Sequence, residues 1–469
     1  MDYDLIIIGS GPGGYVAAIR ASQLKMKVAV VERAEIGGIC LNWGCIPTKS
    51  LLKSAQVFEY LTHASDYGIT VSGEVKPDFN AIVTRSRNVA NGMSKGVQFL
   101  FKKNNIEHLK GFGRITGINK AEVEVEVEVE ASDGTRKKYS SPNVILATGA
   151  RSKELPNLKQ DGKKIIGYRE AMSLEKQPDS MVVVGSGAIG SEFADFFQSL
   201  GTNVTLVEFL PRIVPVEDEE VSKQLERSFK KIGMKVMTAS SVESVDTSKE
   251  KCKVTIKTPK GEEIVEADIV LSAVGITTNL EDIGLEKLGV KTDKGKIVVD
   301  DFYSTSVRGI YAIGDIVHGP ALAHVASAEG IICVEKLAGI DVEPLDYKNI
   351  PGCTYTTPEI ASCGLTEAAA REAGYDIKVG KFPFTASGKA SAAGAKDGFV
   401  KLIFDAAYGE LLGAHMIGAN VTEMIAEIIV ARKLETTAHE IIKSVHPHPT
   451  MSEAIMEAAA AAYGEVIHL

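Results

Sequence analysis

The sequence predicts an α/β protein that uses one parallel βαβ unit twice, with a linking segment between the copies and an α+β segment at the end of the chain. Three observations predict it. First, YDLIIIGSGPGGYVAAIRASQLKMKVAVVE and SMVVVGSGAIGSEFADFFQSLGTNVTLVE share one pattern. Each reads as a short buried strand, a glycine turn, a helix and a second buried strand ending in glutamate. Second, the registers coincide: Gly9, Gly11 and Gly14 precede Glu32 as Gly185, Gly187 and Gly190 precede Glu208, at an offset of 176 residues. Third, from about residue 350 the pattern changes to strands such as FVKLIFD and LLGAHMIG, followed by helices.

A chain of 469 residues exceeds the size at which one hydrophobic core keeps growing. Shifts in pattern place boundaries near 150, 275 and 348, giving segments 1–150, 151–275, 276–347 and 348–469. Between the two copies, helical patterning runs from about Ser50 to Lys103. Valine and glutamate then alternate from Glu122 to Glu130, a period of 2 that suits a meander strand with one face in water. After the second copy come KVTIKTP, ADIVLSAVG and KIVVDDFYSTSVRGIYAIGD, then a helix near Ala321. The last segment is expected to hold alternating strands and helices over 423–432 and 452–462.

Composition narrows the function classes. The chain is 45% hydrophobic and 24% charged, with a net charge of -9 and so no electrostatic footprint for nucleic acid or an anionic membrane. No apolar run approaches the roughly 20 residues of a membrane span. The opening MDYDLIIIG does not read as a secretory signal, so a reducing, cytoplasmic setting is expected. Six cysteines are too few for a disulfide scaffold. Cys252, Cys333, Cys353 and Cys363 are scattered without metal-ligand spacing, and no metal is expected.

The glycine turns carry the first chemical signal. In G-x-G-x-x-G the first glycine permits a tight turn, the second clears the backbone for a pyrophosphate at the positive helix end, and the third lets helix and strand pack. Glu32 and Glu208, ending the next strands, are placed to bind ribose hydroxyls. Both copies therefore read as Rossmann-like dinucleotide sites, and two dinucleotides on one chain imply electron transfer between them. At Glu208 a carboxylate accepts the free hydroxyls of NAD and repels the extra phosphate of NADP; Arg212 nearby is a weaker opposing signal.

Cys40 and Cys45 carry the second, in GGICLNWGCIPTK. Gly37, Gly38 and Gly44 loosen the backbone around them, and a helix is expected near Pro47. A thiolate at a helix N-terminus has its pKa lowered below about 8.5, and Lys49 adds a positive charge. Both effects favour the anion that performs disulfide exchange. Oxidising a dithiol also needs a base. SVHPHPTMSEAIMEAAAAAY offers His446 and His448, with Thr450 or Ser452 placed to cap the final helix and Glu453 to orient an imidazole.

GSGPGG with Glu32, GGICLNWGCIPTK, ILATGA, GSGAIG, YAIGD and HPHPTMSEA, in this order, resemble the signatures of the pyridine nucleotide-disulfide oxidoreductase family over essentially the whole chain. The resemblance implies an FAD-binding domain, an NAD-binding domain, a central domain completing the FAD site and a C-terminal dimerisation domain. It implies that Cys40 is the interchange thiol that meets substrate and Cys45 the flavin-facing thiol. Lys49 would lie near the flavin, Asp315 by the ribityl-phosphate side and Ala323 at the ring system. Gly38, Gly113 and Thr148 become further FAD contacts, and Glu192, Val242 and Gly275 contacts on the nicotinamide side. His448 becomes the base and Glu453 its partner, with His446 structural, and the base is delivered across the interface of a homodimer.

The activity implied is oxidation of protein-bound dihydrolipoamide with reduction of NAD, serving lipoyl-domain partners in 2-oxo acid dehydrogenase complexes or glycine cleavage. Departures are ITTNL after Gly275, where relatives carry an arginine pair, Trp43 in place of a valine, and HVASAEG after Ala323. Glutathione-type or mercuric reduction with NADP is opposed by Glu208 and by the missing C-terminal cysteine pair. A single-cysteine NADH oxidase is opposed by the intact pair. A non-catalytic flavoprotein interaction module is opposed by the presence of Cys40, Cys45 and His448 together.

Overall fold

The computed structural model describes residues 1–119 and 123–469, which form two compact units. The first comprises Met1–Ser50, Ala81–Lys153 and Ile276–Leu345. Its centre is a five-stranded parallel sheet in the order Ile310–Ala312, Val144–Leu146, Leu5–Ile8, Val28–Glu32, Glu107–Lys110. Runs such as LIII and VAVV form strands because β-branched residues pack well when both faces are covered, and all eight are buried. Residues 276–345 thus belong to the first sheet through Ile310–Ala312. The alternating segment forms Glu124–Glu130, its valines buried and its glutamates partly exposed, between Phe112–Asn119 and Arg136–Ser141. Glu122 lies outside the described residues.

The second unit comprises Leu51–Asn80, Glu154–Gly275 and Asp346–Leu469. It repeats the parallel sheet, in the order Lys235–Met237, Asn203–Val207, Ser180–Val184, Ile269–Ser272, Ile165–Ile166. The duplication is close: helices Pro12–Gln23 and Ala188–Ser199 each have 12 residues, and their C-caps, Leu24 and Leu200, keep the offset of the glycine turns.

The last segment forms a five-stranded antiparallel sheet in the order Gly352–Thr354, Glu359–Gly364, Leu411–Gly418, Phe399–Asp405, Ile377–Pro383. Helices Val421–Lys433 and Glu453–Ala461 contribute apolar residues to the same core. The expected alternation fails here. Phe399–Asp405 and Leu411–Gly418 are buried at every position, Lys401 and His415 included. Lys401 is tolerated because its Nζ pairs with Asp218 at 3.0 Å, Glu220 at 2.9 Å and Glu367 at 2.8 Å. Among the described residues no helix is long and apolar enough to cross a membrane.

Candidate active site

Each glycine turn is built around a serine. Ser10, fully buried, donates its hydroxyl to Glu32 Oε2 at 2.7 Å, and its backbone N–H reaches the same oxygen at 3.0 Å. Ser186 does the same to Glu208, at 2.6 and 2.8 Å. Each carboxylate takes a third donor two residues on, from Ala34 N–H at 2.9 Å and Leu210 N–H at 2.8 Å. Both glutamates therefore fix the turn that precedes them, in addition to the ribose role expected from their position. The shared GSG of the two repeats was the signal in the sequence for these serines.

The turns test whether a dinucleotide fits. A Cβ at Gly14 would stand 2.0 Å from Gly9 O, and one at Gly190 1.9 Å from Gly185 O, so both third glycines are required by helix–strand packing. A Cβ at Gly11 or Gly187 would meet nothing within 4 Å. Chain packing does not demand a glycine there. Both are N-caps with no side-chain cap, so uncapped N–H groups of the first helical turn lie beside an open face, a cradle suited to a pyrophosphate.

The cysteine segment docks on the first turn. Gly37 N–H donates to Ser10 O at 3.1 Å and to its Oγ at 3.2 Å, and a Cβ on Gly38 would stand 2.6 Å from Gly11 Cα. Cys40 lies inside the short helix Gly38–Trp43, whereas Cys45 opens the helix Cys45–Thr62. This corrects two expectations. The long helix starts at Cys45, not near Pro47, and the two cysteines belong to different helices, Cys40 as the third residue of the short one and Cys45 as the first of the long one. The Cys40 thiol is pushed up, first by its hydrogen bond with Cys45 and then by burial, with Lys49 opposing. The two thiols therefore face one another in unequal surroundings, Cys40 within one helix and Cys45 at the start of the next. Tyr15 also lies near Cys40, its hydroxyl pushed up by burial and by that thiol.

Other expected residues of the first unit fall as follows. Asp315 lies on the short turn Gly314–Ile316; burial raises its carboxyl and Lys296 opposes. Ala323 is the first residue of the helix Ala323–Leu337. Thr148 Oγ1 donates to Asn279 O at 2.7 Å and Asn279 Nδ2 returns a bond to Thr148 O at 3.0 Å, which anchors the ITTNL segment. At Gly113 a Cβ would meet Val31 Cγ1 at 2.9 Å, so packing alone accounts for the glycine.

In the second unit Glu192 is buried and accepts Tyr355 N–H at 3.0 Å. Val242 is buried at a bulge in the strand Ser241–Asp246, and its carbonyl accepts Asn157 Nδ2 at 2.7 Å. Gly275, with φ +116°, lies in the chain between the strands Ile269–Ser272 and Ile276–Thr278. Arg212 is exposed and faces the carbonyl of Pro215 at 3.4 Å.

His448 Nδ1 stands 2.9 Å from Glu453 Oε1, and its side chain is 77% exposed. Burial acts to raise the Glu453 carboxyl, but Thr450 N–H and His448 outweigh it and hold it below the usual range. An ionised Glu453 favours the tautomer in which Nδ1 donates and Nε2 keeps its lone pair. His446 is committed on both sides, to Glu427 at 2.8 Å and to Ser444 O at 3.0 Å. Neither expected hydroxyl caps the final helix: Ser452 makes no cap bond, and Thr450 Oγ1 donates back to Pro447 O. Glu453 takes Thr450 N–H instead, at 2.8 Å.

Residues 3–330 match the pattern of the pyridine nucleotide-disulphide oxidoreductase family and residues 350–459 that of its dimerisation domain. The chain is 49% identical to proteins named dihydrolipoyl dehydrogenase from Rhizobium etli and Zymomonas mobilis, covering 99% of this chain and 99% of each relative. The crystal structure of LpdA from Mycobacterium tuberculosis superposes with a TM-score of 0.90 at 28% identity, covering 97% of this chain and 98% of that one. With two serine-braced dinucleotide cradles and a cysteine pair docked on the first, the chain belongs to the pyridine nucleotide-disulphide oxidoreductase family.

Proposed function

We propose that the chain oxidises dihydrolipoamide carried on lipoyl-domain proteins and passes the electrons to NAD, with Cys40 and Cys45 as redox pair and His448 as base. The supporting observation is the cysteine pair at the first glycine turn, its two thiols in unequal surroundings. The names of the full-length relatives point to the same substrate.

In this reading His448 Nε2 takes the proton of one substrate thiol. The resulting thiolate attacks Cys40 Sγ of the disulfide, and Cys45 leaves as a thiolate that the helix N-terminus stabilises. The second substrate thiol attacks the substrate sulfur of the mixed disulfide, closing the lipoamide ring and returning Cys40 as a thiol. Bound FAD supplies the two-electron link between the thiol pair and NAD. Gly9, Gly11, Gly14, Glu32 and Asp315 would hold FAD, and Gly185, Gly187, Gly190 and Glu208 would hold NAD. Segment 1–150 then serves FAD, 151–275 serves NAD, 276–347 completes the FAD site and 348–469 pairs two copies.

A homodimer is part of the proposal, supported by the dimerisation-domain match and by the exposure of His448. So are a 2-oxo acid dehydrogenase complex or glycine cleavage as the setting, and the cytoplasm, where a pair cycling between thiol and disulfide can work.

The test is NADH formation from dihydrolipoamide. We expect turnover with NAD and little with NADP, and His448→Gln to lower kcat by roughly 100-fold or more, the usual contribution of a general base. Equal use of NADP, or an unimpaired His448→Gln variant, contradicts the reading.

A further inference from the structure

Trp43 and the helix opposite it are not used by the reaction above. The helix Gly38–Trp43 has only six residues and ends at Gly44, with φ −148° and ψ −115°. Its last carbonyls therefore lack partners within the helix. One of them, Asn42 O, accepts a hydrogen bond from Arg87 Nη2. The same guanidinium lies 4.1 Å above the centre of the Trp43 ring, whose Nε1–H faces Glu35 at 3.3 Å. Asn42 Nδ2 ties the segment to its own start, donating to Ile36 O at 3.0 Å and Gly38 O at 2.9 Å.

The two residues before Arg87 hold the other side of Gly44. Ser86 Oγ donates to Pro47 O at 2.9 Å, and Arg85 Nη1 donates to Ser50 O and Oγ, each at 2.8 Å. Arg85, Ser86 and Arg87 are consecutive on the helix Phe79–Lys103. Neighbouring positions on a helix point in different directions, so a single packed face would not engage all three. Together they grip the redox segment on both sides of Gly44, Arg87 before it and Ser86 and Arg85 after it.

We infer that Arg85, Ser86 and Arg87 are positioning residues that clamp the Cys40–Cys45 segment and thereby set its thiol–disulfide equilibrium. None is required to touch substrate. The clamp holds the two halves of the segment where the Cys40 and Cys45 thiols are within hydrogen-bonding reach of each other, so ring closure costs less ordering than in a free loop. Loosening it lowers the effective concentration of one thiol at the other and shifts the equilibrium toward the dithiol. The inference rests on Cys40 and Cys45 being the redox pair.

The test equilibrates the holoenzyme, without oxygen, in glutathione buffers. One Cys40–Cys45 disulfide and two glutathione thiols exchange with the dithiol and one glutathione disulfide, so one S–S bond forms for each that breaks and both protons pass between thiols. Alkylation and mass spectrometry then count the free thiols. The expected result for Arg87→Met is a midpoint ratio of squared thiol to disulfide lowered about tenfold, equivalent to about 30 mV for a two-electron couple. Arg87→Lys, which keeps the charge and loses the fork, and Ser86→Ala, which removes one hydroxyl, are expected to shift it less, in the same direction.

Midpoints of Arg87→Met and Ser86→Ala within twofold of wild type overturn the clamp. Where Arg87→Met does not fold, Ser86→Ala and Arg87→Lys decide the question alone. A wild-type pair that stays fully alkylated in every buffer overturns the redox reading itself, and the clamp with it.

Discussion

At Ser10 and Ser186 one hydroxyl joins a glycine turn to the glutamate that ends the next strand. Removing it leaves a carboxylate short of a donor, at a cost of about 1.5–3 kcal/mol for a hydrogen bond to a charged group. Ser186→Ala should therefore weaken NAD binding measured by equilibrium titration while leaving FAD content unchanged. Ser10→Ala should lower FAD retention through gel filtration and leave the NAD affinity of the retained holoenzyme near wild type.

Asp195 is a second case. It is fully buried, its Oδ2 accepts Thr357 N–H at 2.8 Å, and its Oδ1 has no partner among the described residues. Burial pushes its carboxyl up to about 8, against the Thr357 bond. An unfolded aspartate ionises near 3.9, so this group stabilises the fold at low pH and that contribution is lost as pH rises through about 8. Asp195→Asn should flatten the fall of the urea midpoint between pH 6 and 9; an unchanged slope contradicts the assignment.

Elements show which parts of the structure the sequence could reveal. The βαβ repeats were legible because strand, glycine turn and helix are local patterns, and each third glycine is fixed by contact with a glycine five residues earlier. The cysteine segment was legible as a motif but its electrostatics were not. Which thiol opens a helix depends on where the helix begins, and Gly44 moves that point to Cys45. The strands Phe399–Asp405 and Leu411–Gly418 were legible as strands but not as fully buried ones, because Lys401 and His415 look like surface residues until distant partners are placed beside them. Asp218, Glu220 and Glu367, which pair with Lys401, lie far from it in sequence. Lys401→Met should cost about 3 kcal/mol, the effect of stranding a buried carboxylate, read as a lower denaturation midpoint. The Arg85–Ser86–Arg87 contacts were invisible for the same reason, since nothing local marks three polar helix residues as partners of a loop some 40 positions earlier.

For the whole molecule, the match of residues 350–459 to a dimerisation domain and the 77% exposure of His448 bear on how the active site is completed. If the base comes from the partner subunit, Cys45→Ser and His448→Gln homodimers are each inactive. Subunit exchange between equal amounts should then restore about a quarter of wild-type activity, because half the dimers are hybrids with one intact site. No recovery after demonstrated exchange would place base and thiols on one subunit.

In the proposed reaction, electrons from dihydrolipoamide reach NAD only through the Cys40–Cys45 pair. The most direct measurement is the NADH formed by FAD-replete Cys45→Ser protein given dihydrolipoamide and NAD without oxygen. The prediction is that NADH formation falls to the rate seen without enzyme although FAD remains bound. Turnover within tenfold of wild type would contradict it.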